Sequence, residues 1–337
     1  MTARRRGGAV KLRLHIENFR RKAEIFHITP ERYAAATRRH RALARRLDVT
    51  IGWDGDIVDD ALREADLAIG VPARRERLRE RAPQLAWIHH PSAGVDPLMP
   101  FDWLPADMVL TNNRGVHGAK AEEFIRMAIT MLHTRMPEVI AQQHARVWRQ
   151  VFTPALAGRT ALVIGLGDLG EGAARAARQL GLTVIGVRRN ARPCRHADRV
   201  HTFRALDRLL PKADFVVVAV PLTAETRNLL SRERLELLKP GCGVINIARG
   251  PVIDNAALAD KLAAGTLAGA VLDVVDPEPL PPDSALWDVP NLVITPHISC
   301  DDGDDYVALT LDRWFENLAR FLQNKPLANR VNRTLGY

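Results

Sequence analysis

The second half of the sequence repeats one pattern, a short and almost wholly apolar segment followed by a stretch with the composition of a helix. The apolar segments read TALVIG, TVIGV, FVVVAV, GVINIA, GAVLDVV and LVITPH. Strands that are apolar along their whole length are buried on both faces, and helices join neighbouring parallel strands. The pattern therefore predicts an α/β fold with a parallel sheet covered by helices on both sides.

The first third of the chain shows the same alternation, with the strand patterns KLRLHI, VTIGW, LAIG, LAWIHH and MVLTNN. A helix is predicted to start at Thr29 and Pro30, an N-cap residue followed by proline in the first turn. The chain of 337 residues is long enough for two separate cores. We therefore predict two domains with doubly wound parallel sheets. One long helix over residues 119–149 is expected to link them, and a last helix is expected over residues 304–324.

Composition narrows the class of protein. The hydrophobic share of 47% and the charged share of 26% are typical of a globular protein, and no apolar run is long enough for a membrane-spanning helix. The basic N-terminus lacks the apolar stretch of a secretory signal, which predicts a cytoplasmic protein. Three widely spaced cysteines, Cys194, Cys242 and Cys300, favour reduced thiols over disulfides or a zinc site.

The formal net charge of +9 suits an anionic ligand. Basic clusters at residues 4–6, 20–22 and 74–81 lack interleaved aromatic residues and match no nucleic-acid-binding motif. The charge therefore favours small phosphates and carboxylates over nucleic acid as partners.

The stretch TALVIGLGDLGEGAARAARQLG places Gly165, Gly167 and Gly170 between a strand and a helix. A G-x-G-x-x-G motif in this context is typical of a dinucleotide site. Gly165 would permit the tight turn, Gly167 would let backbone approach the pyrophosphate, and Gly170 would let helix and strand pack closely. The helix N-terminus would then face the phosphates.

Arginines stand where a dinucleotide site usually has a carboxylate. An acidic residue that binds the ribose hydroxyls is expected roughly 20 residues beyond the motif, and this region holds Arg188 and Arg189. Guanidinium groups bind a 2′-phosphate through charge-assisted hydrogen bonds. We therefore predict a preference for NADP(H), with NAD as the second cofactor. The alternative is that the two arginines only extend into water.

Three further residues follow successive strands at their carboxyl ends, where open parallel sheets bind ligands. They are Arg249 in INIARG, Glu278 in VVDPEP and His297 in ITPHIS. Each one alone has an ordinary interpretation, as a surface arginine, a loop glutamate or a histidine bonded to backbone.

Long segments of the sequence resemble the D-isomer-specific 2-hydroxyacid dehydrogenase family: GRTALVIGLGDLG, VPLTAETRNLL, LLKPGCGVINIARGPVIDNAAL, LAGAVLDVVDPEPLP and LWDVPNLVITPH. The resemblance is strong over residues 158–297, and SAGVDPL and NNRGVHGAKAEEF continue it more weakly towards the N-terminus. It implies two Rossmann-like domains, with the cofactor domain inserted into the substrate domain. The expected bounds are residues 9–117 plus 302–337 for the substrate domain and 118–301 for the NAD(P)-binding domain.

The resemblance implies that Arg249 binds the substrate carboxylate, that His297 donates and accepts the proton, and that Glu278 is its acidic partner. The chemistry agrees, because reduction of a 2-keto acid develops negative charge on an oxygen that then needs a proton. A carboxylate beside the imidazole favours its charged form.

The same resemblance assigns further contacts. The substrate carboxylate would be bound by backbone N–H groups of Ser92, Ala93 and Gly94, in addition to Arg249. The cofactor would contact Asp168 and Leu169 at the pyrophosphate turn, Val220 and Pro221 near the adenosine, and Ile247, Ala248 and Asp273 near the nicotinamide and its ribose.

Two other features bear on the site. The aspartates in residues 301–305 depart from the small residues common in the family, and we predict that Asp304 and Asp305 cap the last helix. His89 and His90 are adjacent on a strand, so they point to opposite faces and are not expected to share a metal ion.

The leading hypothesis is an NADPH-preferring reductase of small 2-keto acids such as glyoxylate or hydroxypyruvate, expected to be a homodimer like other family members. The main alternative is a non-catalytic NAD(P)-sensing regulator of the corepressor type on the same fold. A nucleic-acid binder is the third, and its signature would be retention on DNA that depends steeply on salt.

Overall fold

The computed structural model describes residues 11–337, which form two compact units. Unit 1 contains the described residues up to Val116 together with Asp302–Tyr337, and unit 2 contains His117–Asp301. Unit 2 is thus inserted into the chain of unit 1. The basic cluster at residues 4–6 and the predicted domain start at residue 9 lie outside the described residues.

Unit 1 is built on a five-stranded parallel sheet with the strand order β2-β1-β3-β4-β5. All five strands predicted in the first third are confirmed. They are β1 Leu12–Asn18, β2 Leu47–Trp53, β3 Leu67–Ile69, β4 Trp87–His90 and β5 Val109–Asn112.

Helices cover this sheet on both sides. Their bounds are α1 Pro30–Arg39, α2 Arg41–Ala44, α3 Val58–Glu64 and α4 Leu78–Arg81. The predicted start of α1 is confirmed, because the Thr29 hydroxyl accepts a hydrogen bond from Arg32 N at 3.3 Å and Pro30 occupies the first turn.

Unit 2 holds a seven-stranded parallel sheet with the order β12-β11-β10-β9-β6-β7-β8. The strands are β6 Thr160–Ile164, β7 Thr183–Val187, β8 Arg199–His201, β9 Phe215–Val218, β10 Gly243–Asn246, β11 Gly269–Leu272 and β12 Leu292–Ile294. The six predicted apolar strands are confirmed. The edge strand β8 was missed, because its short, partly exposed sequence lacks an apolar pattern.

The helices of unit 2 are α5 Gly118–His133, α6 Met136–His144, α7 Asp168–Gln179, α8 Leu206–Leu209, α9 Arg232–Glu236 and α10 Asn255–Ala263. The prediction of one helix over residues 119–149 is wrong. Arg135 adopts a left-handed conformation with φ 54°, and a second helix then begins at Met136 with Pro137 in its first turn. The chain returns to unit 1 with α11 Tyr306–Leu322, which lies inside the predicted range.

The two faces of the unit 2 sheet pack separate cores. One face packs α5 and the alanine-rich α7 around Val163, Val184 and Val217. In unit 1, α11 contributes to the core through Trp314, whose ring stacks on that of Trp87 at 5.4 Å.

The three cysteines are free thiols, and burial raises the pKa of Cys242 and Cys300 to about 12. Within residues 11–337, no helix combines the length and apolar content needed to cross a membrane. The same range contains no group of three His, Cys, Asp or Glu side chains arranged to bind a metal ion.

Candidate active site

The glycine motif forms the turn from β6 into α7. Gly165 has φ +98°, and a Cβ there would lie 2.5 Å from Ala219 O, so only glycine fits. A Cβ on Gly170 would overlap Gly165 O, which explains the close packing of helix and strand. A Cβ on Gly167 would meet no heavy atom of the described chain within 4 Å. The turn therefore offers open space beside a helix N-terminus, as a pyrophosphate requires.

Two residues next to this turn were assigned to the cofactor by the resemblance. Asp168 begins α7, and its Oδ2 also accepts a hydrogen bond from His117 N at 3.3 Å, at the start of α5. Its negative charge thus lies at the N-termini of two helices, where it is favourable. Leu169 is partly buried against the core between α5 and α7.

Arg188 and Arg189 directly follow β7, where the sequence predicted the ribose end of the cofactor. Arg188 N donates to His201 O at 3.0 Å, which fixes the backbone there. The guanidinium of Arg189 lies 3.5 Å from Glu225, and both side chains are well exposed. A surface ion pair of this kind contributes little to stability.

His297 and Glu278 form a hydrogen-bonded pair, with Nδ1 and Oε2 2.8 Å apart. The other carboxylate oxygen, Oε1, accepts a hydrogen bond from Val275 N at 3.1 Å. The hydrogen bond to Glu278 raises the pKa of His297 above its ordinary value, against the opposing effects of burial and of Arg249. Burial tends to raise the pKa of Glu278, but the His297 hydrogen bond and charge bring it below its ordinary value. The pair therefore favours an imidazolium beside a carboxylate.

Asp273 holds the loop that carries His297, a role that sequence reasoning missed. Its carboxylate accepts hydrogen bonds from the Thr295 hydroxyl at 2.7 Å and from Ile298 N at 2.8 Å. It also accepts from Ser299 N at 3.1 Å and from the Ser299 hydroxyl at 2.5 Å. These bonds, together with that from His297 N to Asp273 O at 2.9 Å, stabilise His297 in a left-handed conformation with φ 55°. A contact between Asp273 and the cofactor stays a prediction.

Arg249 lies in the turn that follows β10 and is partly exposed. Asn246, fully buried at the end of that strand, donates to Arg249 O at 3.0 Å and accepts from Ala248 N at 3.0 Å. The Arg249 charge lowers the pKa of both Glu278 and His297, so the three groups are close enough to interact. Asn246 was also missed, although one amide in an apolar strand signals a bonded buried group.

The remaining residues assigned to the cofactor differ in exposure. Val220 is buried beside Gly165, whereas the neighbouring Pro221 is exposed. Ile247 and Ala248 are buried in the two cores of unit 2, so a ligand could contact them only through backbone or a small part of the side chain.

In unit 1, Ser92, Ala93 and Gly94 follow β4 in a partly exposed loop. The preceding histidines differ as predicted for opposite faces, since His89 is fully buried and His90 is partly exposed. Burial lowers the pKa of His89 to about 3 and that of His90 to about 4, so both are neutral near pH 7.

The predicted capping of the last helix by Asp304 and Asp305 is wrong. Neither side chain caps α11, and instead Asp302 Oδ1 accepts hydrogen bonds from Asp304 N at 2.9 Å and Asp305 N at 2.7 Å. The carboxylate of Asp302 thus accepts hydrogen bonds from the backbone N–H groups of the turn that precedes α11, and the helix begins at Tyr306. In unit 2, Asp301 Oδ1 lies 3.6 Å from His117 Nε2.

The chain is similar to known proteins in both sequence and structure. Residues 126–299 match the family model of the D-isomer specific 2-hydroxyacid dehydrogenase NAD binding domain. Glyoxylate/hydroxypyruvate reductase B of Pectobacterium atrosepticum is 37% identical over 210 residues, which cover 59% of this chain and 63% of that protein. The match to the curated relatives spans about half of their length, for example 59% and 42% of two others.

Solved structures match nearly the whole chain. A D-isomer specific 2-hydroxyacid dehydrogenase from Xanthobacter autotrophicus, in complex with NADPH and MES, is 30% identical with a TM-score of 0.83, covering 97% of this chain and 100% of that one. An NADPH-dependent glyoxylate/hydroxypyruvate reductase from Sinorhizobium meliloti, in complex with NADP and sulfate, is 27% identical with a TM-score of 0.79 and the same coverage.

Proposed function

The chain belongs to the D-isomer specific 2-hydroxyacid dehydrogenase family, and from that premise we propose that it reduces small 2-keto acids to D-2-hydroxy acids with NADPH. The observation that carries the proposal is the 2.8 Å pair of Glu278 and His297, with Arg249 close enough to shift the pKa of both.

His297 acts as the proton donor. With Nδ1 bound to Glu278, its Nε2 donates to no group among residues 11–337 and is available for a substrate oxygen. As charge develops on the carbonyl oxygen, the imidazolium transfers the Nε2 proton to it, and the neutral ring is later reprotonated from solvent. Because Glu278 raises the pKa of His297, the donor stays protonated to a higher pH.

Arg249 binds the substrate carboxylate through its guanidinium, whose parallel N–H donors match two carboxylate oxygens. Asn246 holds the turn that presents it. Ser92, Ala93 and Gly94 contribute backbone N–H donors to the same carboxylate.

NADPH is the proposed cofactor, and when bound it supplies the hydride. Gly167 leaves room for the pyrophosphate, and Arg188 and Arg189 would bind the 2′-phosphate. The NADPH and NADP complexes of the two structural relatives support this choice. NAD is proposed as the weaker cofactor because no carboxylate follows β7 to bind the ribose hydroxyls.

Glyoxylate and hydroxypyruvate are the proposed substrates, since relatives with those names are 37% and 27% identical to this chain. A homodimer is also proposed. Its support is the segment after α6, where Trp148 is 98% exposed and Phe152 is 85% exposed, since large exposed apolar side chains mark interaction surfaces.

The direct test measures the loss of NADPH absorbance with a panel of 2-keto acids, and repeats it with NADH. Turnover of glyoxylate or hydroxypyruvate, faster with NADPH, is the expected result. Tight NADPH binding without turnover of any keto acid would instead identify a cofactor-sensing protein.

A further inference from the structure

The loop of residues 92–94 in unit 1 has its carbonyl groups fixed one after another. Pro91 O accepts a hydrogen bond from the Tyr306 hydroxyl at 2.9 Å. Ser92 O accepts from Asn113 N at 3.0 Å, and Ala93 O accepts from the Asn112 side-chain amide at 2.7 Å. All three donors come from the end of β5 and the start of α11.

The fixed carbonyls determine where the neighbouring N–H groups point. In a trans peptide, the C=O and the following N–H point in opposite directions, and these three peptide bonds are trans. Because the carbonyls turn towards β5 and α11, the N–H groups of Ser92, Ala93 and Gly94 turn away from them. None of these N–H groups donates to another group in the described chain. Successive backbone N–H groups that point to the same side can bind one anion together.

We propose that Tyr306 and Asn112 are positioning residues that hold these N–H groups in place for the substrate carboxylate. The proposal rests on the proposed 2-keto acid reduction and deepens it. Neither side chain needs to touch the substrate, because each acts through a carbonyl of the loop. A preorganised donor set binds an anion more tightly than a mobile one, since it loses less freedom on binding.

Both positioning residues are themselves held. Arg114 Nε donates to Asn112 Oδ1 at 3.1 Å, which orients the amide so that its NH₂ group faces Ala93 O. The ring of Tyr306 is buried with an edge contact to Phe26 at 4.8 Å.

Thr310 connects helix α11, which carries Tyr306, to the end of β5, which carries Asn112. Its hydroxyl accepts from the Asn113 side chain at 2.8 Å and donates to Tyr306 O at 2.7 Å. Helix α11 is thereby bonded to the same strand end that supports the loop. A substitution at Tyr306 should therefore change the loop without releasing the helix.

The test compares Tyr306→Phe with the matched control Tyr33→Phe. Both substitutions remove one buried hydroxyl, but the Tyr33 hydroxyl has no hydrogen-bond partner within residues 11–337. For Tyr306→Phe, we expect the KM for the keto acid to rise about three- to tenfold, the effect of one lost hydrogen bond, with kcat changed less than about twofold. Tyr33→Phe should leave both constants unchanged.

A second measurement distinguishes a failure of this proposal from a failure of the proposed function. Calorimetry of oxalate, a carboxylate probe, with the NADPH complex needs no turnover, and its Kd should rise in Tyr306→Phe by the same factor as KM. Asn112→Ala should raise the Kd of oxalate further, because Ala93 O and Arg114 then each lose a hydrogen-bond partner. An oxalate Kd that is unchanged in both variants would overturn the proposal. An enzyme that binds oxalate as expected but reduces no keto acid would overturn only the proposed function.

Discussion

Unit 2 and unit 1 offer their polar groups to a ligand in different ways. The groups proposed for catalysis in unit 2 are the side chains of Arg249, Glu278 and His297, each in the segment that follows the carboxyl end of a strand. The groups proposed for substrate binding in unit 1 are backbone N–H groups, aimed by Tyr306 and Asn112. A side-chain site can be removed by one substitution, whereas backbone N–H donors remain when their own side chains are replaced.

The largest effect is expected at the proton donor. His297→Ala should lower kcat by about 10² to 10⁴, the usual contribution of general acid-base catalysis. The Kd of NADPH, measured by fluorescence titration, should stay nearly constant. A variant with normal kcat would show that unit 2 does not act through this side chain.

Arg188 and Arg189 test whether side chains of unit 2 also determine which cofactor is bound. Replacing Arg188 with Asp and Arg189 with Ala should lower the ratio of kcat/KM for NADPH over NADH by about 10², because charge-assisted hydrogen bonds to the 2′-phosphate are lost. Glu225→Gln is the control, and it should weaken NADPH binding little or not at all, since it removes only the negative charge of one exposed ion pair. An unchanged ratio in the double variant would mean that neither arginine binds the 2′-phosphate.

Gly167 is an exception to the contrast between side-chain donors in unit 2 and backbone donors in unit 1. At this position unit 2 also presents its backbone to the ligand. Gly167→Ala should raise the Kd of NADPH about tenfold by placing a methyl group in the pyrophosphate space. Its free energy of unfolding should change by less than about 1 kcal/mol, since the added Cβ would meet no heavy atom of the described residues within 4 Å apart from its chain neighbours. Gly170→Ala, by contrast, should destabilise the fold by about 1–3 kcal/mol or more, because its Cβ overlaps Gly165 O. Thermal or urea unfolding distinguishes the two.

The smallest effect on activity is expected for Glu278→Gln. Glu278 supports His297 in unit 2, as Tyr306 supports the loop of residues 92–94 in unit 1. Loss of the carboxylate charge should lower the pKa of His297 towards its ordinary value of 6.5. Reduction needs the protonated ring, so activity falls as pH rises through that pKa. The fall should therefore begin at a lower pH in the variant, with kcat reduced about three- to fivefold near neutral pH. A pH profile of kcat that coincides with that of the wild type would remove Glu278 from this role.

The contrast also explains which parts of the site could be predicted. Arg249, Glu278 and His297 could be predicted as site residues because charged residues after strand ends are visible in the sequence and lie in segments that resemble the family. Asp273 and Asn246 were not recognised as anchors, because their bonds depend on which loop folds back onto each strand. The predicted capping of α11 by the side chains of Asp304 and Asp305 does not occur, because backbone geometry that the sequence does not show places the N–H groups of both residues on Asp302 instead.

The sequence by itself determined the apolar strands, the glycine turn and the identity of the ionisable residues. These follow from apolar periodicity and residue chemistry, which act locally. Only the tertiary structure decided where the linking helix breaks, how His297 is held and where the N–H groups of Ser92, Ala93 and Gly94 point. The physical reason is that a backbone direction is set by its hydrogen-bond partner, and the partner of Pro91 O is Tyr306, 215 residues away in the chain.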